Sequence, residues 1–482
     1  MQRSAIQRIL GILLMIISIS MLPPVLVSLW YDDGAMMPFI LGFLSTLLTG
    51  LILWFPVRSF RKEMRLRDGF IVVAMFWLVL GLSGSIPLML AATPELTITD
   101  AVFESISGLT TTGATVITGL DELPRSILFY RQQLQWLGGM GIIVLAVAIL
   151  PMLGIGGMQL YRAETPGPMK DTKLTPRITE TAKALWYIYL GLTVACAMAY
   201  WLGGMTLFDA VGHSFSTVAI GGFSTHDQSM AYFNSPLIEM IAVVFMLLAG
   251  VNYSLHFLAW RSASVNPYLG DAEFKTYIKV LASVAIITCT YLYATATFEG
   301  YDAIHNGIFQ AVSIGTTTGF TIAEYHNWPG FLPAMLLLTS FIGGCAGSTG
   351  GGMKVIRVLL LLKQGMREVT RLIHPSAQVP VKIGGKMLED RVIDAVWGFF
   401  SLYVGSYIIM ALILAASGLD LVTAFSAVAA CMNNLGPGLG DVGSHYGDIN
   451  DLAKWVLCFA MILGRLEIFT VLVLLTPAFW RK

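Results

Sequence analysis

A pattern of sixteen residues occurs four times in this 482-residue chain and constrains its fold more than any other feature. It reads NGIFQAVSIGTTTGFT from Asn306, DAVFESISGLTTTGAT from Asp100, DAVGHSFSTVAIGGFS from Asp209 and, less closely, TAFSAVAACMNNLGPG from Thr423. The spacing of the copies, roughly 100 residues, is too long for a solenoid repeat and suits a duplicated membrane unit. The four copies align on Gly113, Gly222, Gly319 and Gly436.

The composition indicates a membrane protein. The chain is 56% hydrophobic and 12% charged, which lies outside the range of soluble proteins. Its formal net charge of +0 argues against nucleic-acid binding. The five cysteines lack metal-binding spacing, so we expect neither a disulfide scaffold nor a zinc site. The N-terminal apolar run has no convincing cleavage site, and we interpret it as a retained first helix of an all-α integral membrane protein.

Each copy of the pattern lies between two apolar spans and contains a half-length helix ending in Thr, Gly or Asn residues. Such a helix is too short to cross about 30 Å of hydrocarbon, so we predict a re-entrant pore loop. Irregular backbone at that depth must be buried or line a water-filled cavity. Four loops around one cavity would direct helix C-termini, carbonyls and Thr hydroxyls at its centre, an arrangement that favours a cation. For a single copy, the alternative is helix packing through glycine.

The candidate cation-binding residues are each aligned glycine and the two residues before it. Glycine lets a backbone carbonyl turn toward the cavity without steric penalty. The fourth set departs from the threonine-rich sequence of the first and third, which leaves the number of equivalent ion sites open. The candidates are Thr111, Thr112, Gly113, Ile220, Gly221, Gly222, Thr317, Thr318, Gly319, Asn434, Leu435 and Gly436.

The chain divides into an extra N-terminal hairpin (1–60) and four pore repeats (69–155, 183–262, 275–363 and 391–482). We predict ten spans, including 5–29, 38–55, 184–202, 236–260, 277–297, 330–362, 392–416 and 453–480. We predict that both termini and the linkers between repeats lie in the cytoplasm. In this topology most Lys and Arg residues are cytoplasmic or lie at the cytoplasmic edge of the membrane, as is typical of membrane proteins. The exceptions are Arg125, Arg131, Lys454 and Arg465. Acidic residues such as Asp121 fall outside, where they would concentrate cations.

Arg465 lies within the apolar run LCFAMILGRLEIFTVLVLL, where a charge is costly and usually faces a pore or a partner. We predict a positive barrier below the aligned glycines. The alternative is an arginine that holds helices together by binding carbonyls.

The run GGCAGSTGGG, from Gly343 to Gly352, should break the second span of repeat three. We interpret it as a mobile intramembrane loop, with close helix packing as the alternative. Its spacing does not fit a phosphate-binding loop. Lys354 could pair with Glu467. The predicted gate therefore comprises Arg465, Gly343, Gly344, Gly347, Gly350, Gly351, Gly352 and Lys354.

These motifs in combination resemble the Trk/Ktr/HKT superfamily of cation transporters. The residues that carry the resemblance are the four aligned glycines, NNLGPG, QWLGGMGI from Gln135, GGCAGSTGGGMK and GRLE from Gly464. With the N-terminal hairpin, essentially the whole chain resembles the bacterial Trk-type potassium-uptake membrane subunits of the TrkH family.

The resemblance implies a pseudo-fourfold potassium pathway in each subunit of a homodimer, embedded in the lipid of the bacterial cytoplasmic (inner) membrane. It also implies gating by a cytoplasmic, TrkA-like nucleotide-binding ring, with no nucleotide on this chain and no nucleic-acid partner. It assigns the filter to the aligned glycines, the mobile loop to 343–352 and the pore arginine to Arg465. Relatives with serine at the first filter glycine lean towards sodium, so Gly113 favours K⁺. The linkers 157–182, 261–276 and 363–391 are the expected docking surfaces.

Two other functions stay open at this point. A proton- or sodium-coupled potassium symporter would use Glu467 and Lys354 for coupling. An integral-membrane enzyme would need a polar catalytic cluster. The histidines are scattered and form no known catalytic motif, so we expect no enzyme. They are His213, His226, His256, His305, His326, His374 and His445.

Overall fold

The computed structural model describes residues 2–60, 66–141, 178–384, 386–466 and 468–481, and these residues are mostly helical. The predicted helical class is confirmed. In chain order the helices are α1 (Arg3–Ile19), α2 (Leu22–Tyr31), α3 (Met36–Trp54), α4 (Leu66–Gly84), α5 (Ile86–Leu90), α6 (Ile98–Leu109), α7 (Arg125–Gly139), α8 (Ile178–Leu202), α9 (Leu207–Val218), α10 (Pro236–Ala249), α11 (Tyr253–Ser262), α12 (Asn266–Gly270), α13 (Ala272–Ala294), α14 (Gly300–Gly315), α15 (Leu332–Ser340), α16 (Val355–Ile373), α17 (Asp390–Ala416), α18 (Leu421–Met432), α19 (Asp451–Arg465), α20 (Ile468–Leu475) and α21 (Pro477–Trp480).

One short antiparallel hairpin joins α16 to α17, an element that the sequence did not predict. Strands β1 (Lys382–Ile383) and β2 (Lys386–Met387) pair with Lys382 opposite Met387. The hairpin lies inside the predicted linker 363–391, and the chain turns at Gly384, directly after β1.

Six helical segments among the described residues are long and apolar enough to cross a membrane, so the chain is a multi-pass membrane protein. The first is interrupted at Ser20 and Met21, directly before the proline pair that begins α2. In the N-terminal hairpin, a Cβ atom on Gly11 would lie 2.8 Å from the carbonyl oxygen of Gly50, so α1 and α3 cross with their backbones in contact.

Four short helices, α6, α9, α14 and α18, contain 12, 12, 16 and 12 residues. At 1.5 Å per residue, a 12-residue helix is about 18 Å long, too short to span a bilayer. Side chains of Thr97, Thr206 and Asp420 accept backbone N–H groups and fix the N-termini of three of them. Each helix ends where the Thr-, Gly- or Asn-rich part of the repeated pattern begins.

The segments that follow the second, third and fourth short helices are broken rather than continuous. Helices α10 and α11 meet at 93°, and the Asn252 side chain caps the start of α11. Residues 341–354 separate α15 from α16, as the glycine run predicted. Arg465 ends α19 before α20 begins. The single span predicted over 236–260 is therefore wrong in this respect, because apolar composition does not report a local break.

The predicted end of repeat one and nearly all of linker 157–182 lie outside the described residues.

Candidate functional site

The four aligned glycines form a closed ring of backbone contacts. A Cβ atom on Gly113 would lie 2.1 Å from the carbonyl oxygen of Gly221, and one on Gly222 would lie 2.1 Å from that of Thr318. A Cβ atom on Gly319 would lie 2.0 Å from the Leu435 carbonyl oxygen, and one on Gly436 would lie 2.8 Å from the Thr112 carbonyl oxygen. Each segment therefore touches the next, and the fourth touches the first. Any larger residue would push the segments apart.

The segments 110–113, 219–222, 316–319 and 433–436, which we call the ring segments, share one backbone turn. The residue two before each glycine is left-handed, with φ of 56° at Thr111, 55° at Ile220, 70° at Thr317 and 53° at Asn434. This conformation is costly for β-branched residues and is held only where surrounding contacts impose it. The next backbone N–H donates to the carbonyl six residues before the glycine in all four segments, at 2.8–2.9 Å.

Besides the backbone carbonyls, the ring segments contain side-chain oxygens. The hydroxyls of Thr110 and Thr112 lie 2.8 Å apart, and those of Thr316 and Thr318 form the same pair. The Thr111 hydroxyl and the Asn434 amide oxygen are buried, with no hydrogen-bond partner among the described residues. Buried oxygens without a donor suit a cation, which coordinates carbonyl and hydroxyl oxygens.

A cavity of about 340 Å³, which we call the glycine cavity, is lined by all four aligned glycines. Its wall also contains His226, Asp227, Glu324 and Arg131. The short helices end at the ring, so the partly negative ends of four helix dipoles meet beside this cavity.

A buried ion pair supports the first ring segment. Arg131 Nε lies 2.7 Å from Glu104 Oε1, and the two side chains are 1% and 0% exposed. Glu104 accepts from the Val116 backbone N–H and the Thr115 hydroxyl, both just after Gly113. The guanidinium of Arg131 stacks on Phe223 with its Cζ 4.3 Å from the ring centroid. This pair joins α6, α7 and the chain that follows the second ring segment.

The second ring segment is held by the amide of Gln135. Its Nε2 donates to the Gly221 carbonyl at 2.6 Å, and its Oε1 accepts the Phe223 N–H at 3.1 Å, so the amide brackets Gly222. In α9, His213 Nε2 lies 2.9 Å from the Ser224 hydroxyl. His213 and Glu104 occupy equivalent places in the repeated pattern, nine residues before the glycine.

Tyrosines support the fourth segment instead of charged groups. The Tyr446 hydroxyl donates to the Gly436 carbonyl at 2.7 Å, and the Tyr325 hydroxyl donates to the Pro437 carbonyl at 3.1 Å. No role for Glu104, Gln135 or these tyrosines was predicted from the sequence. A usable signal was present for Glu104 and His213, because polar residues recur at one position of an otherwise apolar helix pattern.

The glycine run of repeat three forms a non-helical loop, Phe341 to Lys354, packed against the ring segments. The Gly351 N–H donates to the Thr317 hydroxyl at 2.7 Å, and the Gly352 N–H donates to the Asn433 carbonyl at 3.0 Å. The Thr349 hydroxyl donates to the last carbonyl of α9, that of Val218, at 2.9 Å. The loop is therefore bonded to three of the four repeats beside the ring.

Arg465 binds this loop. Its Nη1 donates to the Thr349 carbonyl at 3.1 Å and its Nη2 to the Gly138 carbonyl at 2.7 Å, so it joins the loop to α7. The clamp considered as an alternative for Arg465 is thus present. A second cavity of about 80 Å³, the arginine cavity, is lined by Arg465 together with Lys354, Arg357 and Asn434. Three cationic side chains face this small space.

The other predicted gate residues fall into two groups, those that line the arginine cavity and those that do not. Gly350, Gly351, Gly352 and Lys354 line the arginine cavity. Lys354 Nζ donates to the Gly350 carbonyl within the loop. Gly343 packs on the Gly351 backbone and Gly344 on the Ser348 side chain, which themselves line that cavity, and Gly347 packs on Asn252. Glu467, the predicted partner of Lys354, lies outside the described residues.

The loops around the glycine cavity are tied together by carboxylates. Asp227 accepts the backbone N–H groups of Gly119 and Leu120 at 3.0 and 2.9 Å. His226 Nδ1 pairs with Asp121, and its Nε2 lies 3.5 Å from Asp209. Burial of the imidazole opposes protonation, but the carboxylates of Asp209 and Asp121 outweigh it and raise the pKa of His226. The imidazole and these two carboxylates therefore link the first two repeats at this face.

The charged exceptions to the predicted topology are engaged in contacts. Lys454 Nζ lies 2.7 Å from Asp100 Oδ1 and joins α19 to α6. Arg125 stacks on Tyr31, 4.3 Å from the ring centroid, and so links α7 to the N-terminal hairpin. Both cations therefore stabilise contacts between helices.

A helical membrane protein with a ring of glycines and threonines at the ends of four short helices has the features of an ion-transport protein. The profile of the TrkH family, described as a cation transport protein, matches residues 35–482. The chain belongs to the TrkH family.

Relatives match along their full length. The chain is 60% identical to the Trk system potassium uptake protein TrkH of Vibrio parahaemolyticus over 485 residues, which cover 100% of both chains. It is 54% identical to TrkH of Escherichia coli, covering 99% of both, and 43% identical to TrkG of the same organism, covering 98% of this chain and 97% of TrkG. The crystal structure of the potassium transporter TrkH from Vibrio parahaemolyticus superposes with a TM-score of 0.91 at 56% identity, covering 100% of both chains.

Proposed function

We propose that this chain takes up potassium across the bacterial cytoplasmic membrane through the ring of glycines, acting as a gated channel. The observation that carries the proposal is the closed contact of each glycine with the carbonyl of the next ring segment. A cation at the centre of such a ring exchanges its water shell for carbonyl and hydroxyl oxygens. The names of the relatives, all potassium uptake proteins, support potassium as the ion.

The space on the loop side of the ring is small. Beside Asn434 lies the arginine cavity of about 80 Å³, lined by Arg465, Lys354 and Arg357. A passing cation would meet both the loop backbone and three positive charges. We infer that the loop and Arg465 form the gate, and that a cytoplasmic nucleotide-binding subunit opens it. The homodimer, both cytoplasmic termini and the docking of that subunit on the linkers belong to the same proposal.

The first experiment measures K⁺ and Na⁺ flux into proteoliposomes that contain this chain alone, at a fixed membrane potential and with no other gradient. Selective K⁺ flux driven by voltage is the expected result. A flux that appears only with an imposed proton or sodium gradient would replace the channel with the symporter. Flux of K⁺ and Na⁺ at equal rates would contradict the assignment of the ring as a selectivity filter.

A further inference from the structure

A carboxylate outside the ring holds the base of the intramembrane loop. Glu273, in the first turn of α13, is 8% exposed. Its Oε1 accepts the Ala346 N–H at 2.7 Å and the Ile356 N–H at 3.1 Å. Ala346 lies in the loop and Ile356 in the first turn of α16, so one oxygen binds the chain on both sides of residues 347–355.

The segment between those two bonds carries the contacts that place the loop beside the ring. It includes Thr349, whose carbonyl accepts from Arg465, and Gly351 and Gly352, whose N–H groups donate to ring segments. The carboxylate of Glu273 closes this segment at its base. Two backbone N–H groups share this one buried acceptor oxygen, so both bonds are lost together when it is removed, which should free the loop.

We propose that Glu273 is a positioning residue that holds the intramembrane loop against the ring, and that withdrawal of its carboxylate releases the loop. This inference rests on the proposed function of the loop as a gate. Glu273 also lies within 261–276, one of the segments expected to dock a cytoplasmic partner. A shift of the start of α13 would therefore act on the loop directly.

The test compares three variants of the same helix turn in the full-length chain in proteoliposomes. Glu273→Ala removes the acceptor of both loop N–H groups. Lys275→Ala is the matched control, because Lys275 is exposed and lies two residues from Glu273, while the Asp271 side chain that caps the start of α13 stays in place. Glu273→Gln keeps an acceptor oxygen without the charge and should be intermediate.

Two readouts separate the loop from the pore. The thiol of Cys345, next to Ala346, is free and 1% exposed, so its rate of alkylation by a small maleimide, followed by mass spectrometry of the labelled peptide, reports loop release. Basal K⁺ flux at fixed voltage reports gating. In Glu273→Ala we expect both rates to rise about tenfold, with the K⁺ to Na⁺ flux ratio unchanged. Buried Cys431 and Cys458 should stay protected, which shows that the fold is intact.

Each outcome decides between distinct conclusions. Unchanged Cys345 labelling in folded Glu273→Ala or Glu273→Gln would overturn the proposal, as would equal effects in Lys275→Ala. Faster Cys345 labelling without any rise in flux would support the positioning of the loop by Glu273 but overturn its role as a gate. If Glu273→Ala does not fold, Glu273→Gln supplies the same comparison.

Discussion

In the ring, four stretches of chain from four parts of the sequence adopt the same backbone turn, whereas the loop beside the ring comes from one stretch only. The ring segments repeat the same left-handed residue, the same N–H to carbonyl bond and the same glycine contact. The loop has no such counterpart among the described residues. It is held by the side chains of Arg465 and Glu273 and by hydrogen bonds to residues of three repeats. Under the proposed function, an ion at the centre would be coordinated by equivalent oxygens, whereas a gate would need one element that moves without the others.

This contrast predicts that changes at the ring alter stability and selectivity, whereas changes at the loop alter basal flux. The largest expected effect is on the buried pair behind the ring. Arg131→Met leaves the Glu104 carboxylate buried without its cation, and we expect a loss of about 3–5 kcal/mol in stability. Thermal unfolding of the detergent-solubilised protein measures it. Arg131→Met combined with Glu104→Leu should recover much of the loss, and a single variant as stable as wild type would contradict the pair's role.

Replacing a ring glycine should reduce selectivity. In Gly113→Ser the new Cβ atom meets the Gly221 carbonyl oxygen 2.1 Å away and forces the ring open. We expect the preference for K⁺ over Na⁺ to fall about tenfold, which corresponds to about 1.4 kcal/mol. Competition between the two ions in the flux assay measures this preference.

The ring also supplies graded controls for that experiment. Gly436→Ser should have a smaller effect, because its nearest carbonyl oxygen is 2.8 Å away. Gly191→Ser should have none, since no atom lies within 4 Å of its Cβ position. Equal selectivity in all three variants would refute the assignment of the ring as the filter.

Removing the arginine at the loop should raise basal flux with little change in selectivity. Arg465→Ala deletes a positive charge and two hydrogen bonds to the Thr349 and Gly138 carbonyls, and we expect about fivefold more basal K⁺ flux. Arg465→Lys separates the two roles, because it keeps the charge but not the bridge. Low flux in the lysine variant would assign the effect to charge, and high flux to the clamp. A folded alanine variant with wild-type flux would exclude both.

The smallest expected effect concerns pH at the face of the ring away from the loop. The pKa of His226 is raised by Asp209 and Asp121, with Tyr232 stacked on the imidazole. A raised pKa in the folded protein contributes stability that is present below the unfolded pKa and is lost as pH rises through the folded value. Wild type should therefore exceed His226→Gln in thermal midpoint by about 1 °C more at pH 6 than at pH 8.5. An equal difference at both pH values would show that the ion pairs do not stabilise this face.

Much of the architecture could be predicted from sequence, because it depends on local pattern. The aligned glycines indicated the ring segments, and the run from Gly343 to Gly352 indicated a broken helix. The 93° break between α10 and α11 was not predicted, because Gly250 and Asn252 lie in an apolar run with no cluster of glycines. The contacts of Gln135 and Tyr446 with ring carbonyls were missed as well, because no sequence pattern indicates which carbonyl a polar side chain meets.

The sequence by itself determined that the chain is helical, crosses the membrane and carries four related turns at Gly113, Gly222, Gly319 and Gly436. Apolar length and backbone preference are properties of short stretches, so they can be read along the chain. Only the tertiary structure decided which polar groups meet. Glu273 binds the loop 73 residues away, and Arg465 binds the carbonyl of Gly138, 327 residues away. Such pairs are selected by the packing of separate helices, because a buried polar group must find whatever partner the fold brings to it.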